Sequence, residues 1–278
     1  MTGHVSLPPL QRDAIIACLP QAVADKVPVI LVKATTLSTN ADLLEAVRSG
    51  SVDQPTLLCA DSQSAGRGRR NTPWVSPANA NIYLSLSWPL PVIWRQQPGT
   101  LSLAVGIAVG RLLQQYKVAG WGIKWPNDLW VNGKKIAGIL IELATDRLQQ
   151  RWAVIGIGLN VQLAAWQGEA IDQPWTDLQR QLPGLPLNRP QLIAELLTHL
   201  VAVLALCQQQ GFAALLPEWQ SADLLCHREI LLFTEVQPHP RQGRAEGIAP
   251  DGALLVKFVG DSVATAIYSG SVRPLADR

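Results

Sequence analysis

The sequence predicts an α+β protein, in which strands and helices intermix and a small β-barrel closes the chain. Three observations predict it. Asn132-Gly133 lies between two apolar runs, and a type I′ hairpin turn needs positive φ at both central residues, so Leu129 to Val131 and Lys135 to Leu143 should pair antiparallel. Thr100 to Tyr116 and Pro190 to Gln210 are helices: the first is largely apolar, the second amphipathic and bounded by Asn188 and Gly211. From Glu229 the pattern breaks into short runs, ILLFTEV, GRAEGIAP, ALLVKFV and VATAIYSGSVRP, with a turn at Asp251-Gly252. Such short strands suit a barrel too slight to stand alone, one that packs on the larger domain.

Composition narrows the function. The chain has 278 residues, of which 48% are apolar, enough for a large core. A net charge of +2 and a pI near 8.4 are too close to neutral to imply bulk nucleic-acid or membrane binding, so any basic site must be local. Cys18, Cys59, Cys207 and Cys226 lie far apart with no CxxC pair, which gives neither structural zinc nor a disulfide framework. No secretory pattern opens the chain, and Arg111, Glu195 and His199 interrupt its most apolar stretches. A soluble cytoplasmic protein is expected.

Taken in order, Ser6 before Pro8 and Pro9 starts one short helix that contains Ile15 and Ile16 and stops at Pro20. Val27 to Thr35 reads as a buried strand. Thr39 with Asp42 three residues on forms a capping-box pattern, opening a helix to Gly50. Ser38, Thr39 and Asn40 therefore sit at a strand-to-helix junction, as ordinary caps or as ligand contacts. Thr56 to Ala60 is a strand delivering the loop SAGRGRRNTPW. Asn81 to Trp88 alternates apolar and polar residues, the pattern of a half-buried strand. Lys124, between Ile123 and Trp125, is a partly buried ammonium, uncommon unless paired or functional. Arg151 to Val161 is a strand whose Gly156 and Gly158 mark close approach of either another backbone, a sheet neighbour, or a ligand. Residues 162–184 show no period, and Trp219 and Leu224 to Cys226 form the joint to the barrel.

The loop Ser64 to Trp74 sets Arg67, Arg69 and Arg70 among Gly66 and Gly68. Glycine lets backbone close on a ligand, and the planar guanidinium suits carboxylate and phosphate. Alone, the loop reads first as a solvated basic turn or a nucleic-acid contact. It is not a Walker A motif, since no Gly-Lys-Ser/Thr follows.

Together these stretches resemble the biotin protein ligases. The resemblance spans about Ser38 to Arg273 and rests on STN (Ser38 to Asn40), SQSAGRGRR (Ser62 to Arg70) with Trp74, KWPND (Lys124 to Asp128), KKIAGILIE (Lys134 to Glu142) and GIGLN (Gly156 to Asn160). DQPWTDL around Trp175 and SVR at Ser271 to Arg273 agree more weakly. It implies a mixed sheet flanked by helices, akin to the class II aminoacyl-tRNA synthetase and biotin/lipoate ligase domains, in residues 27–225. A helical extension at residues 1–26 and an SH3-like barrel at residues 226–278 complete it.

The implied reaction activates biotin with ATP to biotinyl-5′-AMP and transfers biotin to a lysine of a biotin carboxyl carrier protein domain of acetyl-CoA carboxylase. By resemblance Arg67, Arg69 and Lys124 are catalytic. Ser38, Thr39, Asn40, Gln63, Gly66, Gly68 and Gly138 join them in binding biotin. Arg70, Trp74, Asn127, Asn160 and Trp175 bind ATP with Arg69, and Mg²⁺ is expected with ligands unassigned.

Two departures stand out. Asn71, Thr72 and Pro73 replace the glycine and basic residues usual before the tryptophan, which removes charge and stiffens the loop. Thirty N-terminal residues with room for one helix cannot form the winged helix-turn-helix of bifunctional members, so a DNA-binding repressor is disfavoured. Lipoate ligation on the same fold is disfavoured by the arginine-glycine loop and KWPND. Either a monomer or a homodimer is compatible with the sequence.

Overall fold

A computed structural model describes residues 7–90, 94, 97–234 and 239–275. Ser6, the expected helix start, and Glu235 and Val236 of the first barrel run lie outside them. The larger sheet holds β1 (Val29–Thr36), β2 (Thr56–Gln63), β3 (Ile82–Pro89), β4 (Trp121–Lys124), β5 (Asp128–Val131), β6 (Lys134–Thr145) and β7 (Arg151–Leu159). Their order is β1-β2-β3-β7-β6-β5-β4, with β1 and β2 parallel and every other neighbour antiparallel. This is a mixed sheet. Asn132 (φ 49°) and Gly133 (φ 76°) make the β5–β6 turn that the Asn-Gly pair predicts.

The helices whose bounds fall among the described residues are α1 (Arg12–Cys18), α2 (Gln21–Ala24), α3 (Thr39–Arg48), α4 (Pro98–Gln115), α5 (Leu178–Gln181), α6 (Arg189–Gln210) and α7 (Leu216–Ala222). α4 and α6 pack on each other, α4 lies on β4, β5 and β6, and α1 fills the space between α6 and β1. Leu192, Leu196, Leu200 and Leu204 face this large core, each contributing about 1.5–3 kcal/mol of burial. α6 is long and apolar enough to cross a membrane, yet here it is a core helix of the domain. On the opposite face α3 stands over β2, β3, β6 and β7, closing a smaller core of Leu43, Leu44, Val47, Leu58, Trp152 and Val154.

That difference in cover creates an opening. Val154, Gly156 and Gly158 point to one face by the two-residue period of a strand. α3 covers Val154 with its ten residues and begins before reaching Gly158, so the sheet beyond its N-terminus stays uncovered.

A buried ion pair ties the chain's start to this frame. Arg189 Nη2 lies 2.7 Å from Asp61 Oδ1, and Asp61 accepts the Leu10 amide at 3.0 and 3.1 Å. Arg189 also donates to the carbonyls of Pro8 and Asn81.

Among the described residues five strands follow the joint: β8 (Glu229–Phe233), β9 (Arg241–Ile248), β10 (Leu254–Phe258), β11 (Thr265–Ile267) and β12 (Ser271–Pro274), in the order β11-β10-β9-β8-β12. The expected small antiparallel unit is there. It is docked, with Trp125 Nε1 donating to Gly252 O at 3.0 Å and the Leu224 amide donating to Ile123 O at 3.0 Å.

Several boundaries differ from expectation. Instead of one N-terminal helix there are two among the described residues, because Pro20, whose missing N–H suits a helix start, precedes α2 rather than merely ending α1. Ser38, not Thr39, caps α3, since its Oγ accepts the Ala41 amide; Asp42 instead accepts from Thr36 and Lys33. Pro98 is inside the first turn of α4. β3 is buried on both faces rather than half-buried, because Ser85 and Ser87 are covered by α3 and β2 and bonded there. Residues 162–184, expected without structure, contain a 3₁₀ turn at Trp166–Gly168 and α5, whose cap Asp177 accepts the Arg180 amide at 2.8 Å.

Candidate active site

The uncovered part of the sheet is the floor of a cleft of about 490 Å³. Fourteen of the fifteen residues that the sequence nominates line it. Gly66 does not: it is packed against its own loop, where a Cβ would lie 2.6 Å from Ser76 Oγ and 2.7 Å from Trp74 O.

One end is neutral and densely hydrogen-bonded. The cap at Ser38 turns the chain so that Thr39 and Asn40 reach the floor. Gln63 Oε1 accepts the Thr39 amide at 2.9 Å and its hydroxyl at 3.2 Å, while Gln63 Nε2 donates to Ser76 Oγ at 3.1 Å. Ser85 Oγ sits 2.8 Å from Thr39 Oγ1 and 2.6 Å from Asn40 Oδ1. Its one proton serves one of them at a time. Donors and acceptors without net charge match a neutral polar ring.

The glycines of β6 and β7 make room for side chains of the protein itself. A Cβ on Gly156 would lie 2.3 Å from Asn40 Oδ1, and one on Gly158 would lie 2.4 Å from Trp74 Cε2. On Gly138 it would meet Trp74 Cζ3 at 3.0 Å and Lys135 Cε at 3.3 Å. The sequence left a sheet neighbour and a ligand open as causes for Gly156 and Gly158; the space is taken instead by side chains from outside the sheet, Asn40 of α3 and Trp74 of the arginine loop, and both wall the cleft.

The arginine loop is a hairpin over this floor. Trp74 N donates to Gly66 O at 2.9 Å and Gly68 N to Thr72 O at 2.7 Å, around a turn with Arg70 at φ 52° and Asn71 at φ 58°. Asparagine tolerates that left-handed conformation better than most residues. Thr72 Oγ1 fastens the turn by donating to Arg69 O at 2.9 Å. The departure at Asn71, Thr72 and Pro73 thus supplies a turn residue, a tie and a stiff exit.

Cations begin at the border of this neutral patch, where Arg67 shares the Glu142 carboxylate with Asn40, and continue beyond it. Arg67 Nη2 lies 3.0 Å from both carboxylate oxygens of Glu142, and Arg69 Nη1 reaches Asn127 Oδ1 at 3.4 Å and Gly270 O at 3.3 Å. Arg70 lines the wall. Lys124 Nζ sits 4.5 Å over the Trp130 ring, and burial holds its pKa below the ordinary lysine value, Asp128 opposing and Lys135 and Arg273 reinforcing. Lys135 Nζ is 2.8 Å from Asp128 Oδ1 and 5.4 Å from the Trp74 ring centre, with only 14% of its side chain exposed.

The far wall is fixed by backbone contacts. Asn160 Nδ2 donates to Thr176 O at 3.0 Å and Asn127 Nδ2 to Ile139 O at 2.9 Å. Trp175 is held between the Arg180 guanidinium, 4.2 Å from its ring centre, and Gly168, where a Cβ would lie 2.0 Å from the ring.

Lys135, Asp128, Glu142 and the Gly270 to Val272 segment were not nominated by sequence. For Lys135 a signal existed: the argument that selected Lys124, an ammonium inside an apolar strand, applies equally one hairpin later. The barrel segment carried only the weak SVR match at Ser271 to Arg273, which assigned it no place in the site, because its approach to the cleft depends on docking.

With this geometry stand three comparisons. The model of the biotin/lipoate A/B protein ligase family matches residues 32–160. The bifunctional ligase/repressor BirA of Salmonella typhimurium is 36% identical over 223 residues, 79% of this chain and 67% of that protein. The biotin–[acetyl-CoA-carboxylase] ligase of Mycobacterium tuberculosis is 40% identical over 174 residues, 62% of each chain, so the chain spans about two thirds of the length of these relatives. Among solved structures, biotin protein ligase from Aquifex aeolicus in complex with biotin and ATP superposes with a TM-score of 0.73 at 26% identity, covering 89% of this chain and 99% of that one. The matched family segment, the relatives and the shared fold agree that this chain belongs to the biotin protein ligase family.

Proposed function

We propose that the protein is an ATP-dependent ligase that converts biotin to biotinyl-5′-AMP and then biotinylates a lysine of the carrier domain of acetyl-CoA carboxylase. The observation that carries this reading is a single cleft whose neutral end, at Thr39, Asn40 and Gln63, runs into a cationic end at Arg67, Lys124 and Lys135 beneath a glycine-arginine hairpin. A ureido ring fits the first end. A carboxylate beside a triphosphate requires the second.

In the first step a biotin carboxylate oxygen bonds to the α-phosphorus and the bond to the β-phosphate oxygen breaks, releasing pyrophosphate. Two anions must meet, and Arg67 with Lys135 offsets their repulsion and stabilises charge in the transition state. Lys135 is assigned to the biotin carboxylate, because its ammonium lies against Gly138 and Trp74 on the floor. Lys124, farther along beside Asp128 and Trp130, is assigned to the phosphates. In the second step the neutral amine of the carrier lysine bonds to the acyl carbon, the bond from that carbon to the phosphate oxygen breaks, and AMP leaves as the nitrogen gives up a proton to form the amide. Arg69, tied to Asn127 and the barrel, keeps the lid on the mixed anhydride and excludes water.

Asn160 and Trp175 are assigned to the nucleotide end. Mg²⁺ enters with ATP: Asp128 and Asp172 are carboxylates on the wall, and an ion held mainly by substrate phosphates needs one or two such groups. The working units are the extension at residues 1–26, the catalytic domain at 27–225 and the barrel at 226–278. The reading places the enzyme in the cytoplasm and involves no DNA or membrane. Incubation with biotin, MgATP and a carrier domain, followed by mass spectrometry, tests it. A mass gain of one biotin on the carrier lysine is expected, and its absence overturns the proposal.

A further inference from the structure

Glu142 belongs to no part of the mechanism above, yet it touches two of its members. From β6 its carboxylate takes Arg67 Nη2 at 3.0 Å on each oxygen and Asn40 Nδ2 at 3.0 Å on Oε2. Asn40 is fixed from its other side by Ser85, and Gly156 leaves the space its amide occupies. A continuous chain, Ser85 to Asn40 to Glu142 to Arg67, therefore runs from the central strand β3 to the lid.

The manner of the Arg67 contact decides its role. Both contacts come from one nitrogen, so among the described residues Nε and Nη1 have no protein hydrogen-bond partner, while the side chain lines the cleft. Glu142 itself does not line it. A carboxylate that competed with substrate would stand in the cleft and engage the open edge of the fork. This one grips the guanidinium from behind and leaves donors available to an anion.

We propose that Glu142 is a positioning residue, which orients Arg67 toward the reacting anions and couples it to the ring-holding Asn40. The proposal rests on the ligase reading. Its chemistry is electrostatic: a half-buried carboxylate, 24% exposed, holds a guanidinium, 32% exposed, that would otherwise sample many rotamers. Pre-placing a transition-state cation raises the rate of the chemical step rather than substrate affinity alone.

The test measures biotin-dependent pyrophosphate release with MgATP for wild type, Glu142→Gln, Glu142→Asp, Arg67→Ala and the Glu142→Gln/Arg67→Ala double variant, with melting temperatures for each. Glutamine still accepts from Asn40 but loses the charge that holds Arg67. Glu142→Gln should lower kcat about tenfold, the effect of misplacing one charge-assisted contact, with ATP KM within about twofold and an unchanged melting temperature. Glu142→Asp, keeping the charge on a shorter stem, should recover part of the loss. In the Arg67→Ala background Glu142→Gln should change kcat by less than about twofold, because the residue it acts through is gone. Losses that multiply, or a Glu142→Gln enzyme as fast as wild type, would overturn the proposal. If wild type itself releases no biotin-dependent pyrophosphate, the ligase reading fails, and with it the premise.

Discussion

Gly158→Ala should disable the enzyme while barely unfolding it. The added Cβ would lie 2.4, 2.6 and 2.7 Å from Cε2, Cζ2 and Nε1 of Trp74. Ordinary carbon contacts need about 3.5 Å or more, so the indole must move by about 1 Å. Gly158 is pinned in mid-sheet between Tyr83 on β3 and Gly138 on β6, whereas Trp74 stands at the end of the lid hairpin. The lid therefore yields and the sheet does not. A displacement of that size in a substrate-positioning wall costs about 10²-fold in rate. The stability change should stay under about 1 kcal/mol, since nothing in the packed core is forced aside. Gly138→Ala is the internal control: its Cβ would meet Trp74 at 3.0 Å and the flexible end of Lys135 at 3.3 Å, so a loss below about tenfold is expected. Pyrophosphate release and thermal melting of both variants check the ranking. A Gly158→Ala enzyme within twofold of wild type, or one that melts before it loses activity, would refute the reasoning.

Other expectations follow from sites around the cleft. Burial, opposed by the Leu225 and Cys226 amides and His227, pushes the Asp223 carboxyl up from 3.8 to about 6. The folded state thus holds the proton more tightly than the unfolded one, and this group withdraws up to about 3 kcal/mol of stability as pH rises from about 4 to 6. Asp223→Asn should accordingly gain melting temperature over wild type with rising pH, and a constant difference from pH 4 to 7 would refute this. Asp61→Ala leaves Arg189 buried without its counter-charge and should cost about 3–5 kcal/mol in urea unfolding, whereas a cost under 1 kcal/mol would show the pair to be dispensable. Lys135→Ala should impair biotin use most, and Lys124→Ala should raise ATP KM; steady-state kinetics in each substrate would expose a reversed pattern. Arg69→Gly should adenylate biotin yet release the intermediate, so that unrelated lysines in a protein mixture become biotinylated; retention equal to wild type would contradict its assigned role.

The fold was legible where local chemistry decides it. Asn132-Gly133, Asn188 and Gly211 announced a hairpin and both ends of α6, because positive φ and free helix amides restrict the residues that fit. Three elements were harder. The alternation in β3 predicted one wet face, but whether a polar face meets water or a helix depends on what α3 does above it. The start of α3 was displaced by one residue, since Ser38 and Thr39 are equally good caps in isolation. At Pro20 the same residue serves as a stop and as a start. Within the site, the loop arginines and the STN junction carried their chemistry in composition. Glu142 and Gly270 did not: each matters through what folding brings beside it.

The short reach of α3 has one more consequence. The cleft is not carved out by small side chains in a packed layer; it is the part of the sheet where the covering layer stops. Its extent is therefore set by where Ser38 begins the helix, a property of the backbone. Point substitutions along the walls can tune contacts within that space but leave its length alone. An altered range of acid substrates would more readily come from shifting the helix start, by insertion or deletion between β1 and α3, than from repainting the surface.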